Sequence, residues 1–96
     1  MAHFEVSNQA ESDIDEIVAY SISAWGPERA GRYLIKLEEG FQRLAINPSL
    51  GRACKKLQPG LRRFEIEHHV AFYLPEPGGV FIVRVLHQSM LPNKHI

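Results

Sequence analysis

The spacing of the apolar residues changes once along this chain, from a helical repeat in the first half to alternation in the second. In the first half they recur at intervals of three and four, which places them along one face of a helix. Two such stretches are present, one formed by Ala10, Ile14, Ile17, Val18, Ile22 and Trp25, and one by Ala30, Tyr33, Leu34, Leu37, Phe41, Leu44 and Ala45. Two helices followed by strands indicate an α+β architecture. Trp25 is expected in the core, or with its ring closing the pair of helices.

Capping and breaking residues mark where the two helices begin and end. Ser7 or Asn8 can cap the first helix, and Asn8 with Glu11 three residues later fits a capping box. Gly26-Pro27 ends this helix and starts the second, because proline is favoured at a first helical position. Asn47-Pro48 stops the second helix. The pattern therefore predicts a helical hairpin.

Four short segments have the alternation or apolarity of β-strands. They are residues 4–6, 61–67, 69–74 and 80–86. A turn is expected at His68-His69, another at residues 75–79, and an irregular link at residues 47–60. Residues 80–86 are apolar on both faces apart from Arg84, which is typical of a central strand.

These elements predict a β-α-α-β-β-β fold of the α+β class, with the helical hairpin packed on one face of a mostly antiparallel sheet. Residues 1–96 are too few for two separate cores, so a single domain is expected. Little of the chain remains to cover the other face of the sheet. We expect that face to be exposed or covered by a partner, and function to lie at an exposed apolar sheet face or groove. Gly31 and Gly40, inside the second helix, suggest close approach of the two helices, or are merely tolerated at a cost of about 1 kcal/mol each.

Composition excludes several classes of protein. No uncharged run approaches the length of about 20 residues that a membrane-spanning helix requires, so no membrane association is expected. The N-terminal residues lack a basic flank and an apolar signal core, and we expect a cytoplasmic protein. Cys54 is the only cysteine, which excludes an internal disulfide and a cysteine zinc site within one chain.

The net charge of zero conceals an uneven distribution. Residues 1–39 have a net charge of −5, residues 40–64 a net charge of +6 with no acidic residue, and residues 65–96 a net charge of −1. A basic segment of this kind suggests a surface for an anionic partner, either nucleic acid or an acidic protein segment. The alternative is a solvated loop that pairs with the acidic first helix.

Two residues near the end of the last strand are candidates for chemistry. Arg84 is a lone charge in an apolar strand, which is costly unless it is paired. It can contact an anion on the free sheet face, or form an ion pair with Glu65 or Glu67. His87, which ends the strand, can act as an acid or base, or can simply be a hydrogen-bonded residue at the strand end.

Metal and cofactor sites are not expected from the pattern. The five histidines do not have metal-ligand spacing, and the adjacent His68 and His69 would point to opposite sides of a strand. Cys54 could have a lowered pKa beside Lys55 and Lys56, but no partner base is evident for a nucleophile. The chain also has no glycine-rich phosphate loop.

Several segments, in order, resemble the ParE branch of the RelE/ParE toxin superfamily. The matching segments are Ala10-Glu11-Ser12-Asp13-Ile14-Asp15-Glu16-Ile17, Trp25-Gly26, Asn47-Pro48-Ser49-Leu50-Gly51-Arg52, Gly60-Leu61-Arg62-Arg63-Phe64, His69-Val70-Ala71-Phe72-Tyr73 and Arg84-Val85-Leu86-His87. Together they extend from about Phe4 to His95, and the fold of the family matches the predicted element order.

The resemblance implies the toxin of a type II toxin–antitoxin system, associated with plasmid stabilisation. It implies a cognate antitoxin of the ParD kind, with a ribbon-helix-helix DNA-binding part and a segment that wraps the toxin in a heteromeric complex. ParE-like toxins act on DNA gyrase, whereas RelE-like toxins cut messenger RNA on the ribosome. One scaffold thus hosts two functions, and the residues have to discriminate between them.

The residues favour gyrase inhibition by binding over catalysis. A RelE-type site requires a dense basic cluster and a late tyrosine or similar base, but no tyrosine follows Tyr73. Catalytic residues are therefore not expected; a nuclease would use Arg62, Arg84 and His87. The expected target-binding residues are Arg52, Lys55, Lys56, Arg62, Arg63, Arg84 and His87.

Two alternatives to gyrase inhibition remain at this point. One is a ribosome-dependent endoribonuclease, and the other is a non-toxic module that keeps the fold and the antitoxin pairing. The sequence also departs from ParE-like chains after the histidine at the strand end. Ser89, Met90 and Leu91 stand where a basic and an acidic residue are common.

Overall fold

A computed structural model describes residues 2–90 and 92–96, so Leu91 of the divergent tail lies outside the described residues. Its elements are β1 His3–Val6, α1 Asn8–Trp25, α2 Pro27–Ile46, β2 Arg52–Ala53, β3 Arg62–Ile66, β4 His69–Glu76, β5 Gly79–His87 and a 3-10 turn at Pro92–Lys94. The predicted order of helices and strands is confirmed. The short β2, within the link predicted to be irregular, is additional.

The five strands form one sheet in the order β1-β5-β4-β3-β2. The β1 strand runs parallel to β5, and the other pairs are antiparallel. As predicted, β5 has a strand on both sides. Phe72 pairs with Arg84 while Tyr73 pairs with Ile82, so Val83 is an extra residue in β5. Such a bulge changes which face the following side chains occupy.

The first helix is tied to the sheet at its N-terminus. The N-cap is Ser7, not Asn8: its hydroxyl oxygen accepts the Ala10 N–H at 3.0 Å and its hydroxyl donates to the Val83 carbonyl at 2.7 Å. Gly26, with φ of 92°, connects the helices directly, in a conformation that favours glycine. The close connection fixes α1 and α2 as a hairpin beside β5 and β1.

The main core lies between the helical hairpin and the sheet. Its buried residues are Ala10, Leu37, Phe41, Leu44, Ala45, Ile66, Ala71, Tyr73, Val80, Ile82 and Val85. Gly40 permits close packing in this core, although not between the two helices as predicted. A Cβ at this position would lie 2.5 Å from Cδ1 of Ile66, so the glycine permits approach of α2 to β3 and not of helix to helix. Gly31 has open space around it.

The face of the sheet opposite the helices is partly covered by the chain itself. Val70, Phe72 and Leu86 are buried there beneath the β2–β3 loop. Leu61 of this loop is fully buried, and Cys54 and Leu57 pack against the same cluster. The chain does not cover this face fully, in line with the prediction, but the face is not left wholly exposed, because the irregular link supplies apolar residues that close part of it.

The β3–β4 turn falls at residues 67–68, one residue earlier than predicted, with Glu67 at a φ of 55°. Within the described residues, no helix has the length and apolarity needed to cross a membrane.

Candidate functional site

The predicted site residues occupy two regions. We call the first the basic surface, which consists of Arg52 on β2, Lys55 and Lys56 in the β2–β3 loop, and Arg62 and Arg63 on β3. Lys55 and Lys56 are exposed. Arg52 and Arg63 are cross-strand partners, so the short β2 brings their charges to one edge of the sheet.

Arg62 is held by the chain itself. Its Nε donates to the Gly51 carbonyl and its Nη2 to the Ser49 carbonyl, both at 3.0 Å. The buried Tyr73 holds the same segment, since its hydroxyl donates to the Pro48 carbonyl at 2.7 Å and accepts the Gly51 N–H at 2.9 Å. The guanidinium of Arg62 thus fixes the segment that leads into β2, and contributes little free hydrogen-bonding capacity to the surface.

Arg63, unlike Arg62, has a guanidinium that lies against an aromatic ring. Its guanidinium lies 5.6 Å from the centre of the Phe72 ring, and its buried Nε has no hydrogen-bond partner within the described part of the chain. It lines an open recess together with Lys55, Lys56 and Asn93. The stacked guanidinium and the two lysines form a concentration of positive charge that an anionic group can approach.

Cys54 lies beside these charges without becoming an activated thiol. Desolvation by burial raises its pKa, although the neighbouring arginines Arg63, Arg52 and Arg62 act in the opposite direction. The sequence-based possibility of a lowered pKa is therefore not supported. A thiol that stays protonated near neutral pH is a poor nucleophile, and Cys54 serves as an apolar residue under the loop.

Arg84 lies in the second region and is paired. Its Nε and Nη2 each donate to a carboxylate oxygen of Asp13 on α1, both at 2.8 Å, and Asp13 also accepts the Val85 N–H at 2.9 Å. The side chains of Arg84 and Asp13 are only 15% and 12% exposed. The hydrogen bonds that Arg84 donates to Asp13 raise the pKa of Arg84. Arg84 was predicted either to contact an anion or to form an ion pair with Glu65 or Glu67. The structure shows an ion pair, but the partner of Arg84 is on α1 and not on β3.

His87 belongs to a histidine–tyrosine cluster. Its ring lies edge-to-face with that of His69 at 5.3 Å, and its Nδ1 is 2.8 Å from the Ser89 hydroxyl. His69 Nδ1 is 2.6 Å from the Tyr33 hydroxyl. Desolvation, with smaller contributions from His87 and His68, lowers the pKa of His69 to about 4. The neutral His69 can therefore accept the Tyr33 hydrogen at physiological pH.

These residues line a groove between the helices and the ends of β4 and β5. The groove has a volume of about 410 Å³ and is lined by Asp13, Glu16, Ile17, Tyr20, Ser21, Trp25, Tyr33, His68, His69, Val85, Leu86, His87 and Met90. We call it the helix–sheet groove. Trp25 is 42% exposed on its wall and Tyr20 is 67% exposed. The prediction of Trp25 as a core residue is wrong. Its ring lies instead 6.3 Å from that of Tyr33 on α2, which agrees with the alternative that it closes the helical hairpin.

The three residues that a nuclease would use do not converge. Arg62 pairs with Tyr73 of β4, which pairs with Ile82 of β5. His87 is five residues further along β5, a distance of about 16 Å along a strand. Arg84 is engaged by Asp13, and Arg62 by the carbonyls of Ser49 and Gly51 in the segment before β2. Sequence spacing could not show this separation, since it depends on strand register and on the contact of Arg84 with Asp13, 71 residues away.

Comparison with known proteins gives a consistent result along the whole chain. Residues 4–92 match the family model described as ParE toxin of type II toxin-antitoxin system, parDE. Toxin ParE1 of Mycobacterium tuberculosis (strain CDC 1551 / Oshkosh) is 36% identical over 96 residues, covering 99% of this chain and 98% of the relative. Toxin ParE1 of Caulobacter vibrioides is also 36% identical, covering 100% and 99%.

Two further comparisons extend this result. Toxin ParE of Escherichia coli is 35% identical over 91 residues, covering 94% of this chain and 88% of the relative. A solved structure described as the chromosomal ParDE TA system from P. aeruginosa has a TM-score of 0.76 at 21% identity, covering 91% of this chain and 96% of the other. At this identity the structural match shows that the fold is shared.

Proposed function

The chain belongs to the ParE toxin family of type II toxin–antitoxin systems, and on that basis we propose that it inhibits DNA gyrase by binding and is neutralised by a cognate ParD-like antitoxin. The observation that carries the proposal is the similarity to toxins named ParE over nearly the full length of both chains. No cofactor is required for a mechanism of this kind.

We assign target binding to the basic surface. Lys55 and Lys56 are exposed, and Arg63 presents a guanidinium whose buried Nε has no partner among the described residues. Such groups can pair with phosphates of gyrase-bound DNA or with carboxylates of gyrase itself. Binding there would inhibit the catalytic cycle of gyrase without the toxin catalysing any reaction.

The arrangement of polar groups supports binding over RNA cleavage. General acid–base chemistry requires groups that converge on one reacting phosphate. Arg62 and Arg84 are committed to intramolecular hydrogen bonds, and His87 contacts Ser89 and His69 elsewhere. The endoribonuclease alternative would therefore require rearrangement of at least two of these contacts.

We assign antitoxin binding to the helix–sheet groove. Trp25, Tyr20 and Met90 are exposed large apolar residues on its walls. Exposed aromatic residues around a concave surface are typical of sites where a folding segment docks. Under this assignment the antitoxin and the target contact different parts of the toxin. The antitoxin then neutralises the toxin by restricting access to the basic surface or by changing the shape of that surface, and not by binding Lys55 and Lys56 themselves.

The first experiment measures supercoiling of relaxed plasmid by gyrase in the presence of the purified, antitoxin-free chain. We expect inhibition that the cognate antitoxin relieves. The variant Lys55→Glu/Lys56→Glu should raise the half-inhibitory concentration at least about tenfold, because both attractive charges become repulsive. The matched control Arg29→Glu/Arg32→Glu has the same charge change on the exposed part of α2 and should inhibit like the parent.

Two results would contradict the proposal. Folded chain that leaves supercoiling unchanged well above the gyrase concentration removes gyrase as the target. Cleavage of messenger RNA in a translating extract, lost in His87→Gln, would then favour the endoribonuclease. Antitoxin binding without either activity would identify a non-toxic binding module.

The antitoxin assignment has a separate test. Trp25 is the only tryptophan, so its fluorescence reports on the groove directly. We expect its emission to shift when the antitoxin binds, and Tyr20→Ala to weaken binding at least about tenfold, as for a buried aromatic anchor. Ile46→Ala, which removes an equally exposed apolar side chain from the end of α2, is the control. Equal effects of the two substitutions would place the antitoxin elsewhere.

A further inference from the structure

A third cluster of titratable side chains lies outside both regions. His3 and Glu5 alternate with Phe4 and Val6 on β1, so they share the face of the sheet opposite the helices. Glu76 is the last residue of β4. Gly79 of β5 pairs with His3 on one side and with Glu76 on the other. His3 and Glu76, from opposite ends of the sequence, are thereby placed in one row across three strands, and Glu5 lies two residues further along β1.

The separations of the donor atoms fit one small cation. His3 Nε2 is 3.3 Å from a carboxylate oxygen of Glu76 and 3.6 Å from one of Glu5. All three donor atoms lie within 4.8 Å of one another. Ligand atoms at about 2.0–2.2 Å from a tetrahedral zinc ion are separated by about 3.4 Å, so the observed distances require little movement.

Two glycines make this arrangement possible. A Cβ at Gly79 would collide with the carbonyl oxygen of His3. A Cβ at Gly78, whose φ is 81°, would lie 3.3 Å from Cε1 of the His3 ring. The turn between β4 and β5 therefore leaves the space in which the His3 ring can approach Glu76. The donors stand on paired strands, which position ligands more precisely than loops do.

The charge of the cluster also favours a cation. Among the described residues, neither Glu5 nor Glu76 has a lysine or arginine within 4.0 Å, and His3 is the only ionic partner of both. A divalent ion would relieve the crowding of these two acidic groups.

We propose that His3, Glu5 and Glu76 bind one divalent transition-metal ion of the zinc type, linking the edge strand β1 to β4 across β5. One imidazole and two carboxylates supply three of four tetrahedral positions, and water completes the set. The imidazole nitrogen disfavours Mg²⁺ and Ca²⁺, which prefer oxygen ligands. The spacing of the histidines could not predict this site, because two of its three ligands are carboxylates and Glu76 lies 71 residues after Glu5.

The test is calorimetric titration of the untagged, metal-free chain with ZnCl₂, and separately with CaCl₂. We expect one Zn²⁺ per chain, no comparable binding of Ca²⁺, and a melting temperature that rises with Zn²⁺. Glu76→Gln and His3→Gln should each weaken binding at least about tenfold, since even loss of an outer-shell partner costs that much. Melting in EDTA checks that both variants remain folded.

Matched controls separate this cluster from its competitors. His95→Gln and Glu38→Gln remove one exposed histidine and one exposed carboxylate elsewhere and should leave binding unchanged. Unsaturable or multiple weak binding, or equal affinity of Glu76→Gln and the parent chain, overturns the proposal. Loss of binding in His87→Gln but not in His3→Gln also overturns it, because the ion would then belong to the His69–His87 cluster. Gyrase inhibition plays no part in any of these results.

Discussion

Two arginine–carboxylate pairs in this molecule have the same chemistry and opposite surroundings. Arg84 and Asp13 form two hydrogen bonds of 2.8 Å at the helix–sheet groove, with side chains 15% and 12% exposed. Arg52 and Glu65 form one bond of 3.2 Å on the basic surface, with side chains 74% and 63% exposed. The first joins α1 to β5, whereas the second joins neighbouring residues of a short strand pair.

This difference distinguishes the helix–sheet groove, whose shape the buried pair maintains, from the basic surface, which presents its charges to the solvent. A desolvated, bidentate pair resists removal of either partner, because the remaining charge has no water to solvate it. An exposed pair is screened and gains little. The groove should therefore be fixed by its polar contacts, while the charges of the basic surface remain available to a partner.

The largest expected effect is at the groove. Arg84→Met keeps the length of the side chain but leaves the Asp13 carboxylate with only the Val85 N–H. We expect the free energy of unfolding to fall by about 3–5 kcal/mol, measured by urea denaturation. The double variant Arg84→Met/Asp13→Asn should recover part of the loss, since no uncompensated charge remains. If Arg84→Met lowers the free energy of unfolding by less than about 1 kcal/mol, the buried pair contributes no more to stability than the exposed pair does.

The second effect concerns the segment that leads into the basic surface. Tyr73→Phe removes the hydroxyl that bonds both Gly51 and Pro48, and leaves a buried N–H without its acceptor. We expect a loss of about 1–3 kcal/mol, measured in the same way. Tyr20→Phe, which removes an exposed hydroxyl, is the matched control. Equal stability of the two variants would mean that the 48–51 segment is not held by Tyr73.

The third effect is a pH dependence of the groove. The pKa of His69 is lowered to about 4 in the folded chain, below its ordinary value of 6.5. The unfolded chain therefore binds more protons between these values, so stability should fall as pH decreases from about 6.5 to 4 and level off below. We expect a contribution of about 1–2 kcal/mol, less than the full shift implies because the ring is partly exposed.

Comparison with His69→Gln isolates this contribution, because glutamine can still accept the Tyr33 hydrogen. The difference in unfolding free energy between the two proteins should change with pH only between about 6.5 and 4. Carboxylates that titrate in the same range affect both proteins equally. A parallel pair of stability curves would mean that His69 titrates normally in the folded chain.

The smallest effect returns to the exposed pair. Arg52→Ala should change the free energy of unfolding by less than about 0.5 kcal/mol, and any change should vanish in 0.5 M salt. Glu65→Ala should behave alike. A loss of several kcal/mol in either variant would erase the distinction between the two regions.

The sequence predicted the elements well, because periodicity reports which face of an element is buried. It could not predict β2, which at two residues is too short to show alternation. It also missed that residues 54–61 cover the second sheet face, since isolated apolar residues in a Pro- and Gly-containing link have no period.

The candidate site was less predictable for a related reason. The charge segregation found the basic surface, but nothing local distinguishes Arg62, which is bound by backbone carbonyls, from Arg63, which is stacked on Phe72. Arg84 could be recognised as requiring a partner, yet Asp13 lies 71 residues away in the sequence. Trp25 had the right helical spacing, but spacing alone does not say where the covering sheet ends.

The β2–β3 loop bears Lys55 and Lys56 on its outer side and seals Phe72 and Leu86 with Leu57 and Leu61 on its inner side. A segment with both roles cannot be exchanged as a module. Grafting the loop of a relative to alter target preference would open part of the hydrophobic interior unless the two leucines were carried along. Diversification of this surface is therefore confined to the outward-facing positions, and a loop library that keeps 57 and 61 fixed should yield folded members far more often than one that varies the whole segment.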